Sequence, residues 1–244
     1  MILKLLFILR STLIVLIVPL LLVTTNVRLV VDSPYIYSYG FQKYGIESVT
    51  GIEMRQLELA GKKIRDYFSN DQDFIVINIE RRGQQIKNLY NQREILHMKD
   101  VKNLIQLTYS IQIWGFLLLS SLIFIGFLSR TPKKLSNAVD MISWGGGLTL
   151  AISAVIGALS LFGFQRLFLF FHLVSFDNDL WILDPRRDYL IMMFPQGFFF
   201  DATVIIVVLT LGQALLLLAV PRIIKKLRRL LRRIFLNNAL SRRT

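Results

Sequence analysis

The chain has 244 residues, of which 54% are hydrophobic, and its mean hydropathy is +0.52. This composition is too apolar for an ordinary soluble domain and is typical of a membrane protein with several spans. The absence of cysteine excludes disulfides, thiolate nucleophiles, iron–sulfur clusters and cysteine-ligated zinc. The net charge of +13 would suit nucleic-acid binding, but its distribution along the chain argues against that interpretation.

Four apolar stretches are long enough to cross a bilayer as helices, which requires roughly 20 residues. They cover about 11–31, 104–128, 141–164 and 202–220. The first stretch could also be a cleaved signal peptide, but its apolar run is too long and no small-residue cleavage site is evident. The sequence therefore predicts an all-α integral membrane protein with four transmembrane helices, in a single membrane domain over 1–244.

Basic residues are concentrated at the N-terminus, in the connection at 129–140 and in the C-terminal tail at 221–244. These three segments together carry the whole net charge of +13, and the other segments are neutral in sum. The positive-inside rule therefore predicts that both termini and this connection are cytoplasmic. The segments at about 32–103 and 165–201 then face outward.

The basic tail alternates apolar and basic residues with a helical period between 222 and 235. This pattern predicts an interfacial helix on the anionic inner leaflet. Nucleic-acid binding is the alternative, but the tail directly follows a membrane helix and contains one aromatic residue, Phe235. In the third span, the glycines at 145–147 predict close helix packing and not a phosphate-binding loop, because no strand precedes them and no lysine follows.

The outward segments predict a mixed, mainly helical extracytoplasmic portion. The pattern Thr50-Gly-Ile-Glu53 suggests a capping box that opens an amphipathic helix at 51–68. The predicted features that follow are a strand at 74–79, a turn near Gly83, a helix that opens at Asn91 and runs into the second span, and interfacial anchors at Tyr35, Tyr37 and Tyr39. The aromatic-rich segment at 165–201 suggests a re-entrant or interface-hugging loop.

The chain contains two histidines, His97 and His172, and the predicted topology puts both on the outer face at similar depth. Glu94, His97 and Asp100 are spaced three apart, so they share one side of a helix, where a carboxylate can orient an imidazole. An imidazole with a pKa near 6.5 suits proton transfer during acyl transfer. A zinc site lacks the usual ligand spacing, and proton or ion transport lacks ionisable residues inside the helices.

Two motifs around these histidines resemble a bacterial integral membrane family. The segment from Asn91 to Lys102 is similar to the family signature Arg-Glu-x-x-His-Met-x-Asp-Val-Lys. The segment from Phe171 to Phe199 resembles its second motif through Phe171-His172, Phe176, Asn178, Trp181, Asp184-Pro185, Asp188, Leu190-Ile191, Pro195 and Phe198-Phe199. The best-known member is Lit, the lipoprotein intramolecular transacylase, and the resemblance covers most of the chain.

The resemblance implies a membrane acyltransferase of the bacterial cytoplasmic (inner) membrane with its active site on the outer face. It would move an acyl chain from the glycerol sn-2 ester of a diacylglyceryl lipoprotein to the α-amino group of the N-terminal cysteine. His97 and His172 are the expected acid/base residues, and Arg93 or Lys102 could stabilise the oxyanion. The supporting residues are Arg93, Glu94, Asp100, Lys102, Asn178, Trp181, Asp184 and Asp188.

No cofactor, metal or obligate protein partner is expected, and the partners would be diacylglyceryl lipoproteins or phospholipid. Two alternatives remain open at this point. One is a non-catalytic membrane scaffold that binds a lipid or protein through its outward segment. The other is a metal-dependent membrane hydrolase.

Overall fold

The computed structural model describes residues 1–81, 83–128 and 132–241. The elements in chain order are α1 (Ile2–Asp32), α2 (Pro34–Lys43), α3 (Ile46–Thr50), α4 (Met54–Ser69), β1 (Ile79–Arg81), β2 (Gln84–Ile86), α5 (Gln92–Leu128), α6 (Pro132–Ser175), α7 (Tyr189–Met193) and α8 (Gln196–Ser241). In this described part, α1, α5, α6 and α8 are long and apolar enough to cross a membrane. The predicted all-α class with four membrane helices is therefore confirmed.

The chain divides into two compact units, and the first comprises residues 1–23, 114–154 and 209–244. Its helices pack closely at glycines, as the sequence predicts for the third span. A Cβ atom on Gly145 would lie 2.6 Å from Cβ of Val18 in α1, and one on Gly146 would lie 3.1 Å from the backbone oxygen of Ala214 in α8. Glycine at these positions therefore permits close helix approaches that a side chain would force apart.

The second unit comprises residues 24–113 and 155–208 and contains a compact hydrophobic core. The amphipathic face of α4 supplies Leu57, Ile64 and Phe68 to it, while α2 supplies Tyr37 and Phe41. The unit also contains a two-stranded antiparallel hairpin in which Ile79 pairs with Ile86 and Arg81 with Gln84. The predicted turn near Gly83 connects these strands, and Gly83 has a positive φ of 76°, which favours glycine.

Three local predictions about this unit are wrong. The capping box at Thr50 and Glu53 does not form, because Thr50 ends α3 and its hydroxyl accepts the backbone N–H of Ile52. The α4 helix begins at Met54, after an N-cap Glu53 without a side-chain cap. Tyr37 is not an interfacial anchor, since it is buried against Phe194 and Phe198, whereas Tyr35 and Tyr39 are exposed.

The strand predicted at 74–79 is also wrong, although its alternating pattern is real. Ile75 and Ile77 are buried while Phe74 and Val76 are exposed, as an extended chain over a core requires. The ladder nevertheless starts only at Ile79, because the pairing with β2 begins there. The segment is therefore extended backbone packed through alternate side chains.

The long helices extend beyond the apolar stretches. The α5 helix begins at Gln92 and continues unbroken to Leu128, as predicted, whereas α6 continues past position 164 to Ser175 after non-helical backbone at Gly163. The tail forms the end of α8, but the side chains at 227–241 and residues 242–244 lie outside the described residues, as do Arg130 and the side chains of Lys133 and Lys134. The proposed interfacial contacts of the tail and the charged connection are therefore not described.

Candidate active site

Two long helices bring the histidines of the second unit together. His97 lies in the second turn of α5, and His172 lies in the last turn of α6. The two rings are stacked, with centroids 6.3 Å apart and an angle of 29° between their planes. Both side chains are buried, with exposed fractions of 7% and 8%. Residues that are 75 positions apart in sequence therefore form one imidazole pair.

The protonation pattern of His172 follows from a single hydrogen bond. Its Nδ1 lies 2.8 Å from the backbone oxygen of Phe168, four residues earlier in α6. A carbonyl oxygen only accepts, so Nδ1 must carry the proton and donate it. The neutral ring then has its lone pair on Nε2, which is the nitrogen available to act as a base.

His97 presents the opposite situation, because its Nδ1 is buried and has no hydrogen-bond partner among the described residues. Most buried polar atoms in proteins are hydrogen-bonded, and one without a partner is unfavourable. Such an atom at a candidate site is therefore positioned to bind a polar group of a ligand.

Aromatic rings enclose the histidine pair. Ring centroids of Phe168, Trp181 and Phe171 lie 4.4, 5.0 and 5.4 Å from that of His172. Phe176 lies beside the pair and contacts both rings, with its centroid 5.1 Å from that of His97 and 5.6 Å from that of His172. This apolar wall reduces the access of water to the imidazoles.

Glu94 does not hydrogen-bond to either histidine in the described structure, but it fixes the start of α5 and of α7. One carboxylate oxygen accepts the backbone N–H of Asn91 at 2.7 Å, and the other accepts that of Leu190 at 2.6 Å. Asn91 in turn accepts the backbone N–H of Glu94, which completes a capping box at the start of α5. The side chain is 1% exposed, so Glu94 joins the two helices from within the core.

Asp188 extends this connection into the loop between α6 and α7. It is fully buried, and its carboxylate accepts Nδ2 of Asn91 at 2.9 Å and the backbone N–H of Asp184 at 2.7 Å. Asp184 pairs with Arg186, and hydrogen bonds from that guanidinium and its backbone amide lower the pKa of Asp184. These two aspartates therefore shape the loop and have partners other than the imidazoles.

Arg93 and Asp100 connect the same loop to α5. The guanidinium of Arg93 donates to the backbone oxygen of Asp179, and its buried Nε has no partner among the described residues. Asp100 accepts Nδ2 of Asn178 at 2.9 Å. Because Arg93 precedes His97 by four residues, the two share one face of α5.

Lys102 is the predicted site residue that lies elsewhere. Its Nζ donates to Oδ1 of Asn70 at 3.2 Å and to the backbone oxygen of Gln72 at 2.6 Å, and it lies 4.3 Å from the ring centroid of Tyr67. At 100° per residue, Lys102 is about 140° around α5 from His97. It therefore belongs to a different surface of the helix.

Sequence reasoning missed two parts of this arrangement, the carbonyl of Phe168 and the carbonyl of Asp179. The first could have been found from the four-residue spacing to His172, had the helix been extended past position 164. The second depends on the path of an irregular loop and leaves no sequence signal. Within the described residues, no three His, Asp or Glu side chains converge as metal ligands.

Comparisons with known proteins give one matching family model and several proteins of similar sequence or fold. The family model of the lipoprotein intramolecular transacylase Lit matches residues 12–199. The structure of the membrane-integral lipoprotein intramolecular transacylase Lit from Bacillus cereus superposes with a TM-score of 0.76 at 18% identity, covering 91% of this chain and 97% of that one. Two variants of that protein with a histidine replaced by arginine or alanine give TM-scores of 0.70.

A curated relative is an uncharacterised protein of Aquifex aeolicus, 26% identical over 125 residues. The match covers 51% of this chain and 52% of the relative, so the chain spans about half the length of this curated relative. The solved structures, at 18% identity, establish the likeness of fold.

Proposed function

The chain belongs to the family of the lipoprotein intramolecular transacylase Lit, and on this premise we propose that it transfers an acyl chain within a diacylglyceryl lipoprotein. The acyl chain leaves the glycerol sn-2 oxygen and joins the α-amino nitrogen of the N-terminal cysteine. The observation that carries the proposal is the buried histidine pair, with ring centroids 6.3 Å apart, inside an aromatic wall. Such a pair suits a reaction that needs a proton moved and water excluded.

The proposed reaction is balanced without any co-reactant. The amine nitrogen attacks the ester carbonyl, a C–N bond forms, and the C–O bond to glycerol breaks. The proton lost by the amine ends on the glycerol oxygen. Because ester and amine belong to one substrate molecule, the protein has to orient them and carry one proton between them.

His172 is the better suited of the two rings to carry that proton. Its Nε2 lone pair is free to accept, and the carbonyl of Phe168 holds Nδ1–H and stabilises the imidazolium that forms. The same Nε2 then returns the proton to the leaving oxygen. His97 is better suited to hydrogen-bond the substrate, because its Nδ1 lacks a partner within the described structure.

Arg93 is the stronger candidate for stabilising the oxyanion of the tetrahedral intermediate. It lies one helical turn from His97, it is anchored on the Asp179 carbonyl, and its Nε lacks a partner in the part of the chain described. Lys102 has its ammonium engaged with Asn70, Gln72 and Tyr67 on another surface. A fixed cation where negative charge develops lowers the barrier substantially.

Topology completes the proposal. The basic excess at both termini and in the connection at 129–140 supports cytoplasmic termini in a bacterial cytoplasmic membrane. His97 and His172 would then lie at the outer leaflet, where the glycerol esters of a lipoprotein reside. The tail would bind the anionic inner leaflet.

The test is expression of the chain in bacterial cells that lack their own lipoprotein N-acylation, followed by mass spectrometry of a lipidated N-terminal peptide. The expected product is an amide-linked acyl chain on a monoacylglyceryl cysteine. Replacing His172 with glutamine should lower its amount about 100-fold or more, because general acid–base catalysis contributes roughly 10²–10⁴-fold. Replacing His97 with glutamine should also lower it, because the substrate loses the imidazole that hydrogen-bonds it.

Tyr35→Ala is the control, because this aromatic side chain belongs to the same unit and is 82% exposed, whereas both histidines are buried. Unchanged diacylglyceryl peptide with a free amine, despite normal amounts of wild-type protein in the membrane, would contradict the proposal. Full activity of both histidine variants would instead exclude the histidine pair as the group that carries the proton, whereas a non-catalytic scaffold predicts no product from the wild type.

A further inference from the structure

A polar cavity of about 190 Å³ lies on the surface of α5 beside the loop after α4. Its lining residues are Asn70, Asp71, Gln72, Asp73, Lys99, Lys102, Asn103 and Gln106. A single buried water needs only roughly 10–15 Å³ by a comparable measure, so the cavity has room for a polar group of several atoms. All of these residues belong to the second unit.

The cavity is separate from the histidine pair. With 100° per residue, Lys99, Lys102 and Gln106 are about 200°, 140° and 180° around the helix from His97. The cavity therefore opens on the face of α5 opposite His97. Nothing that binds there would compete with a substrate at the imidazoles.

The charges of the lining leave one cation and one anion without ion partners. Lys99 pairs with Asp73, with 2.9 Å between Nζ and Oδ1. Neither Lys102 nor Asp71 takes part in an ion pair within 4.0 Å in the described part of the chain. The lining as a whole, with two lysines and two aspartates, is neutral.

Lys102 is the observation that points to a ligand. It is 5% exposed, and its ammonium contacts the neutral oxygens of Asn70 and Gln72 and the ring of Tyr67, with no carboxylate within 4.0 Å in the described part of the chain. Neutral partners compensate a buried ammonium less fully than a negative charge does. Such a group lining a cavity favours an anionic ligand atom, and the exposed carboxylate of Asp71 in the same cavity favours a cationic one.

The position of the cavity along α5 indicates where such a ligand comes from. Charged residues in α5 end at Lys102, and the apolar stretch of the predicted second span begins at Leu104. Gln106 already lies within that stretch, and its Nε2 reaches the backbone oxygens of Phe68 and Asn70. The cavity is therefore at the predicted boundary between lipid and water.

We propose that this cavity binds the zwitterionic phospho-ammonium headgroup of a phospholipid, with the phosphate at Lys102 and the ammonium at Asp71. The neutral lining favours a zwitterion over a net anion such as phosphatidylglycerol. The bound lipid would fix the loop at 70–73 against α5. The proposal concerns a surface other than the candidate active site and stands independently of the proposed function.

Native mass spectrometry of the purified full chain tests it, with equal amounts of phosphatidylethanolamine and phosphatidylglycerol carrying identical acyl chains. The wild type should retain phosphatidylethanolamine preferentially. Lys102→Met should weaken its retention about tenfold, as expected for loss of a charged hydrogen bond. Asp71→Asn should weaken it about threefold, as expected for an exposed ion pair.

Asp71→Lys is the sharpest variant, because it gives the lining two more units of positive charge and should invert the preference toward phosphatidylglycerol. This exposed position makes no hydrogen bond or ion pair in the described structure, so the variant should fold even if Lys102→Met does not. The matched control is the double variant Lys62→Met and Asp66→Asn, which removes the same charges from exposed positions on α4.

Equal retention of both lipids by the wild type would overturn the proposal. An unchanged preference in Asp71→Lys would also overturn it. Displacement of the lipid by an equimolar amount of soluble glycerophosphoethanolamine would show that the ligand is a free headgroup and not a lipid, and would likewise contradict it.

Discussion

Replacing Glu94 with alanine should loosen α7 without unfolding the protein. The variant removes the acceptor that the backbone N–H of Leu190 reaches at 2.6 Å inside the core. A buried N–H left without an acceptor costs about 1–3 kcal/mol, and a central value of about 2 kcal/mol corresponds to roughly a 30-fold change in an opening equilibrium. The second N–H that Glu94 accepts, on Asn91, lies at an exposed position where water replaces the carboxylate.

Hydrogen exchange measured by mass spectrometry on a peptide that covers α7 reports this change directly. Exchange at Leu190 should accelerate about 30-fold in Glu94→Ala. Glu94→Gln should fall between the variant and the wild type, because glutamine offers one acceptor oxygen in place of two. Glu47→Ala is the control, since Glu47 is exposed on α3.

The reasoning would be refuted by exchange in α7 that is the same in Glu94→Ala as in Glu47→Ala. That result would mean that the carboxylate contributes little to holding α7. The loop that carries Trp181 toward His172 would then be positioned by packing and by its other hydrogen bonds, such as that between Asn178 and Asp100.

Three other variants test separate parts of the structure. Arg93→Gln should slow single-turnover acyl transfer about 100-fold if its guanidinium stabilises the oxyanion, and a wild-type rate would exclude that role. Trp181→Ala should increase the share of free fatty acid among the products, because removing a ring centred 5.0 Å from that of His172 admits water; an unchanged product ratio would contradict water exclusion by this ring. Gly40→Ala should lower the Tm, since its Cβ would lie 2.3 Å from Cδ2 of Phe198 and overpacking costs about 1–3 kcal/mol, whereas Gly212→Ala, with no atom within 4 Å, should not.

Periodic patterns predicted much of the fold. Long apolar runs predict membrane helices because a bilayer leaves the backbone few other ways to satisfy its hydrogen bonds. The pair Asn91 and Glu94 correctly marked the start of α5, since both capping contacts are local in sequence. The amphipathic period of α4 was likewise sufficient, although its first residue is Met54 and not residue 51.

Features that depend on tertiary contacts were not predictable in the same way. Thr50 and Glu53 have the spacing of a capping box, but Thr50 is already the last residue of α3. Residues 74–78 alternate like a strand, yet pairing depends on where β2 lies. The pattern therefore revealed which side chains are buried and could not reveal their backbone partners.

The candidate site shows the same division. The spacing of Glu94, His97 and Asp100 placed them correctly near one face of α5, but it suggested a carboxylate beside the imidazole. In the structure Glu94 bonds to backbone amides and Asp100 to Asn178, while His172 uses a backbone carbonyl. Backbone groups leave no trace in residue identities, so only coordinates reveal these partners.

The most direct measurement uses purified protein and a synthetic diacylglyceryl lipopeptide with an isotopically labelled chain at the sn-2 position only. Mass spectrometry after a single turnover should find the label on the α-amino nitrogen, with the sn-1 chain still on glycerol. His172→Gln should reduce the rate of this transfer about 100-fold or more. A label that stays on glycerol in the presence of active-site histidines, or transfer at the wild-type rate in His172→Gln, would contradict acyl transfer through the histidine pair.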